Sequence, residues 1–183
     1  MHRELAVLKR IAVLGVAAVA FSGAVGIGLH AAGAATTRAP GCARQALIEL
    51  PVNAWAPARS ELAPPGASAV RLCRYNALGV KPLRGLAAAA LVSDSAAVGR
   101  IVHELDSLPK PPRQAFCPMD NGAVIDLLIA YGSTDHGVFV QVDLTGCTTV
   151  DNGSVIRTAA GTAAGKALLA KIEGLTGYKG TTF

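Results

Sequence analysis

The chain has 183 residues, 51% of them apolar but only 4% aromatic. That length holds one domain and an appendage, and a core of small aliphatic side chains gains little from each, so covalent staples are expected. The formal charge of +5 divides unevenly, with +2 in residues 1–34 and the other 14 basic and 11 acidic residues scattered. No basic run with interleaved aromatics is present, so nucleic acid is excluded as a partner.

Residues 1–34 read as an export signal. Lys9 and Arg10 close a short positive region, Ile11 to Leu29 carry no charge, and Ala31-Ala32-Gly33-Ala34-Ala35 offers small residues to signal peptidase. This order predicts cleavage between Ala34 and Ala35 and release as a secreted, extracellular protein. If the segment is retained instead, its 19 uncharged residues are long enough to span a bilayer and tie the protein to the cell envelope. That segment is the only contact with a membrane that the sequence offers.

The four cysteines, Cys42, Cys73, Cys117 and Cys147, all lie beyond the cut. An even count in an exported chain predicts two disulfides. No pair has C-x₂-C spacing, and His103 and His136 stand alone, so neither metal nor cofactor is expected.

Residues 35–66 form an extension in which Pro40, Pro51, Pro57, Pro64 and Pro65 forbid long regular elements. Only Gln45 to Leu50 has room for a helical turn. The regular domain spans 67–183. Val70, Leu72 and Arg74 alternate with Arg71, Cys73 and Tyr75, which predicts a strand, and the apolar run from Leu86 to Val92 predicts another. Ser93-Asp94 caps a helix whose Val98, Ile101, Val102, Leu105 and Leu108 recur at helical spacing until Pro109.

Next comes a hairpin. Ala123 to Tyr131 and Gly137 to Leu144 flank Gly132-Ser133-Thr134-Asp135. Setting Gly132 against Asp135 places Ile129 opposite Val138, Leu127 opposite Val140 and Ile125 opposite Val142, all on one side. The other side then pairs Asp126 with Gln141 and Val124 with Asp143. One register sorts apolar from polar on both strands at once, which a slipped register does not do. It also brings Cys117 near Cys147, which favours a Cys117–Cys147 bond and leaves Cys42 for Cys73.

Asn152-Gly153 predicts a two-residue turn with Val150 against Val155 and Thr149 against Ile156. Thr162 to Glu173 is a helix with Leu168, Leu169 and Ile172 inward, ended by Gly174. The expected architecture is α+β, an antiparallel sheet of five or six strands with two helices on one face. Asp120-Asn121-Gly122 and Asp151-Asn152-Gly153 look alike; without the alternating oxygens and glutamate of a calcium loop, they read as two turns leading into strands.

Nothing in this pattern predicts an enzyme. His103 projects from the helix face opposite Val98, Ile101 and Leu105. His136 stands beside Ser133 and Asp135, which are triad residue types, but in a flexible turn that cannot preorganise them. No nucleophile elbow, H-E-x-x-H or phosphate-cradling glycine loop occurs. A non-enzymatic domain binding an extracellular or envelope partner is the expected role.

Two resemblances add to this. Val70-Arg71-Leu72-Cys73-Arg74-Tyr75, Glu104-Leu105-Asp106-Ser107-Leu108-Pro109, Cys117-Pro118, Leu144-Thr145-Gly146-Cys147 and Asn152-Gly153 together resemble a group of secreted actinobacterial proteins over roughly residues 68–170. That likeness implies export and a shared fold and carries no activity. Cys117-Pro118-Met119, with Cys147 following, also resembles the reactive loop of subtilisin-inhibitor-like proteins, which would make Met119–Asp120 the bond presented to a serine protease. Here Asp120 stands where that family usually has an apolar residue, and the family's short first disulfide loop is absent.

Overall fold

A computed structural model describes residues 41–113, 116–132 and 136–179. The expected export segment, the Ala34–Ala35 site, and Ser133 and Asp135 lie outside them. After a 3₁₀ turn at Pro57–Arg59 come β1 (Ala69–Tyr75), β2 (Leu86–Val92), α1 (Ser95–Asp106), β3 (Val124–Ala130) and β4 (Gly137–Asp143). β5 (Thr149–Asp151), β6 (Ile156–Thr158) and α2 (Ala163–Thr176) complete the order. The strands form one antiparallel sheet, β2-β1-β3-β4-β5-β6, so α1 carries the chain across β1 between β2 and β3.

The β3–β4 ladder has the expected register: Ile125 faces Val142, Leu127 faces Val140, Ile129 faces Val138, and Asp126 faces Gln141. Its apolar side, with Val70 and Leu72 of β1, packs against Val98, Ile101 and Leu105 of α1 and Leu168 and Ile172 of α2. Asp94 caps α1 by accepting the Ala97 amide at 2.8 Å. Thr162 caps α2 the same way through the Gly165 amide at 2.9 Å. Lys171 of α2 pairs with Glu104 of α1. α2 runs one turn further than expected, through Gly174 to a left-handed Gly177, because the next buried position, Thr176, still has packing to gain. Both expected disulfides form, Cys42–Cys73 and Cys117–Cys147.

The Asn152-Gly153 hairpin departs from expectation. Asp151 faces Ile156 and Val150 faces Arg157, so the loop holds four residues instead of two. The reason is the buried Asn152 side chain. Its carbonyl accepts the Ser154 and Val155 amides at 3.0 and 2.8 Å, while its NH₂ reaches the carbonyls of Ala58, Glu61 and Leu62 at 2.9–3.1 Å. An inward Asn152 closes an Asx turn and cannot also head a two-residue turn. Gly153 then sits at φ +82°, with the Pro51 carbonyl only 2.4 Å from where a Cβ would be.

From residue 41 on, the extension is folded, not appended. No helical turn forms over Gln45 to Leu50; Gln45 bridges to Gly85 instead, and Ala46 and Leu86 exchange backbone hydrogen bonds with Arg84 and Arg44. Cys42 and Ala46 thereby cover the sheet face away from the helices, over Cys73, Tyr75 and Val124. Further on, Ala58, Leu62 and Ala63 enter the main core, and the Leu62 and Ala63 amides donate to Asp106 Oδ1 at 2.7 and 3.3 Å.

This cover buries Asp126, expected on a polar face, to 2% exposure. Burial pushes its carboxyl up to about 6, against the opposing pull of the Gln141 side chain and of Arg84. A carboxyl raised on folding binds its proton more tightly in the native state. Its contribution is therefore complete below pH ~4, the ordinary Asp range, and lost as pH rises through about 6. Asp126→Asn, which keeps an oxygen for Gln141, should be more stable than the parent at pH 7 by about 2 kcal/mol and should differ little at pH 4. Asp143 and Asp106 are raised by burial too, so the variant's pH dependence is smaller than the parent's without vanishing. Urea unfolding at the two pH values tests this; an equal offset at both would mean that Asp126 does not titrate with folding.

Candidate functional site

Three connections meet at the end of the sheet where Tyr75 pairs with Val124 and Val124 with Asp143. They are residues 76–85 between β1 and β2, 116–123 before β3, and 144–148 after β4. The 116–123 segment is supported on several sides. Cys117 is bonded to Cys147, with the two Cα atoms 4.7 Å apart. Asp120 Oδ1 accepts the Gly122 amide and the Thr145 hydroxyl, each at 2.8 Å. Thr145 Oγ1 in turn accepts the Asn121 amide at 3.1 Å, and Asn121 Oδ1 accepts the Ala123 amide at 2.9 Å. The expected pair of turns is confirmed here: Asp151 and Asn152 hold Gly153 and Ser154 as Asp120 and Asn121 hold Gly122 and Ala123.

Between these supports Met119 stands 91% exposed, and Phe116, just before Cys117, is fully exposed. Loop 76–85 lies alongside. The Leu78 amide donates to the Asn121 carbonyl at 2.6 Å. A Cβ on Gly122, whose φ is +72°, would come within 2.8 Å of the Leu78 side chain. Leu78, Val80 and Leu83 are exposed as well. Large apolar side chains from two abutting loops therefore face solvent at one end of the sheet.

The sequence singled out Met119 and Asp120 and passed over Leu78, Val80 and Leu83. Their only signal is composition: three large apolar residues within a Gly- and Pro-containing connection, where polar residues are the rule. His103 and His136 lie elsewhere. His103 is exposed on α1. At the opposite end of the sheet, His136 stacks on Trp55 with ring centroids 5.4 Å apart, and Trp55 meets Tyr131 edge-on. On the outer face Glu49, Asp143, Thr149 and Asp151 line a shallow polar hollow. There Thr149 donates to Asp143, whose carboxyl is raised by burial. No group of three or more His, Cys, Asp or Glu is placed to hold a metal among the described residues.

No family model, curated protein or solved structure matches the chain.

Thr145 is the pivot of the 116–123 segment. Thr145→Val removes one acceptor and one donor while keeping the shape, and should raise amide exchange at Asn121 about tenfold. Exchange in β3 should stay near the parent's. Equal acceleration in both would show that the hydroxyl supports the whole sheet and not this loop.

Proposed function

We propose that this is an exported, disulfide-stabilised domain that acts by binding and not by catalysis, and that it binds through the end of the sheet carrying loops 76–85 and 116–123. The observation that carries the reading is the joint exposure of Leu78, Val80, Leu83, Phe116 and Met119 on a hydrogen-bonded, disulfide-tied base. A preorganised loop loses little conformational entropy on binding, so its exposed side chains can act as anchors in a partner's apolar pockets. The partner is an extracellular or envelope protein. Two disulfides are compatible with a compartment outside the cytosol. The family reading is carried by the chain's likeness to secreted actinobacterial proteins and implies the same compartment.

Export is tested at the amino terminus. The protein released into the medium should begin at Ala35, read by N-terminal sequencing. Recovery of the intact chain from membranes alone would make residues 11–29 an anchor.

One observation favours a second reading, a secreted serine protease inhibitor with Met119 in the enzyme's primary pocket. Met119 projects between a disulfide at Cys117 and a side-chain lock at Asp120, the two-sided support that lets such a loop resist cleavage. The Asp120 carboxylate turns back to Thr145 and Gly122, yet it remains an acid beside the bond presented to the protease. Titration against subtilisin and chymotrypsin separates the readings. The binding reading expects no inhibition tighter than about 1 μM. Stoichiometric inhibition at nanomolar concentration, kept by Met119→Leu and abolished by Met119→Gly, would establish the inhibitor.

A further inference from the structure

A second site lies away from the loops, in a groove between α1 and the end of the extension. Ser95, Gly99, Val102, His103 and Asp106 form one stripe of α1 at helical spacing, and Pro65, Gly66 and Ala67 form the facing wall. The space between them is about 570 Å³, within the range of small-molecule pockets. Most of the lining is apolar, and one acidic group stands at its end.

Two features single this groove out. The first is Gly99. Glycine inside a helix is unfavourable relative to alanine, and a fold normally retains it where a neighbour approaches closely. Nothing lies within 4 Å of a Cβ built at Gly99. The glycine is therefore not required by packing, and its effect is to keep the middle of the groove open. The second is Asp106. Its Oδ1 is taken by the Leu62 and Ala63 amides, and no hydrogen bond of its Oδ2 is formed among the described residues. Burial raises this carboxyl, opposed by those amides and by Arg157 and His103. A half-buried carboxylate that lines an apolar groove, with one oxygen taken by main-chain amides, is complementary to a hydrogen-bonded cation.

We propose that the groove between α1 and residues 65–67 binds a small primary ammonium ligand, its compact apolar body over Pro65, Ala67 and Val102 and its ammonium on Asp106. Gly99 makes the room, and Asp106 selects the head group. This site is independent of the loop surface and stands whether or not that surface binds a protein.

Three probes with one ring and different heads test it: cyclohexylamine, cyclohexanol and cyclohexanecarboxylate, each titrated into the ¹⁵N-labelled protein and followed by amide shifts. Cyclohexylammonium should shift Gly66, Ala67, Gly99 and Asp106, with the carboxylate at least about tenfold weaker. Gly99→Leu puts a side chain into the groove from a position where a Cβ meets nothing within 4 Å, and should abolish those shifts while leaving the melting temperature at or above the parent's. Asp106→Asn keeps an oxygen for Leu62 and Ala63 but removes the charge. It should weaken cyclohexylammonium about tenfold and leave cyclohexanol unchanged. The proposal is overturned if no probe shifts these amides or if the carboxylate binds as well as the ammonium. It is equally overturned if the ammonium shifts survive in Gly99→Leu.

Discussion

The pairing of β3 with β4 is the constraint on which the rest of this fold depends. Seven residue pairs in one register put Ile125, Leu127 and Ile129 with Val138, Val140 and Val142 on the helix side. A slip of one residue would turn that whole set outward, so the ladder and the core specify each other. β1 then pairs with β3 along its full length, and both helices have one continuous apolar surface on which to lie. The register also decides the disulfide at the sheet end, because it brings Cys147 beside the chain entering β3.

This ladder was legible because all its information is local. Alternating residues on two strands, joined by a short connection, determine the pairing from roughly twenty consecutive positions, and the Cys117–Cys147 bond follows from it. The Cys42–Cys73 bond came by elimination. Asn152 was not legible for the opposite reason. Asn-Gly is a strong local turn signal, but the partners of its side chain lie at Ala58, Glu61 and Leu62, some ninety positions earlier. Three main-chain carbonyls in an irregular segment leave no pattern in a sequence. Asp126 misled in the same way: on one hairpin it alternates like a solvent-facing residue, and only the extension folding over it makes it buried.

The extension shows what proline content does and does not decide. Five prolines between residues 35 and 66 rule out long helices and strands, yet Ala58, Leu62 and Ala63 are fully buried in the main core. A segment without regular structure cannot pair its own main chain, so its polar groups must find partners elsewhere. Asn152 takes three of its carbonyls, Asp106 takes two of its amides, and Arg84 and Gly85 pair with residues around 45. In a chain with few aromatics, whose core side chains each bury little area, these cross-links and the Cys42–Cys73 bond supply the cohesion that larger residues would otherwise provide.

The same economy explains where exposed apolar surface remains. The extension covers part of the outer face, over β1 and β3, and the helices cover the inner one. Leu78, Val80, Leu83, Phe116 and Met119 are left exposed in the loops at the sheet end. The letters Cys117-Pro118-Met119 pointed to one of those loops, while its neighbour became visible only once Leu78 was found bonded to Asn121 across 43 positions of sequence. Loop 76–85 has no disulfide of its own; it is held by its hydrogen bond to 116–123 and by the pairing of Arg84 and Gly85 with the extension, while 116–123 is held by Thr145 and Cys147. The two loops are therefore joined to each other at the ends of β3 and β4, and the placement of Leu78 beside Asn121 and Gly122 depends on the central ladder.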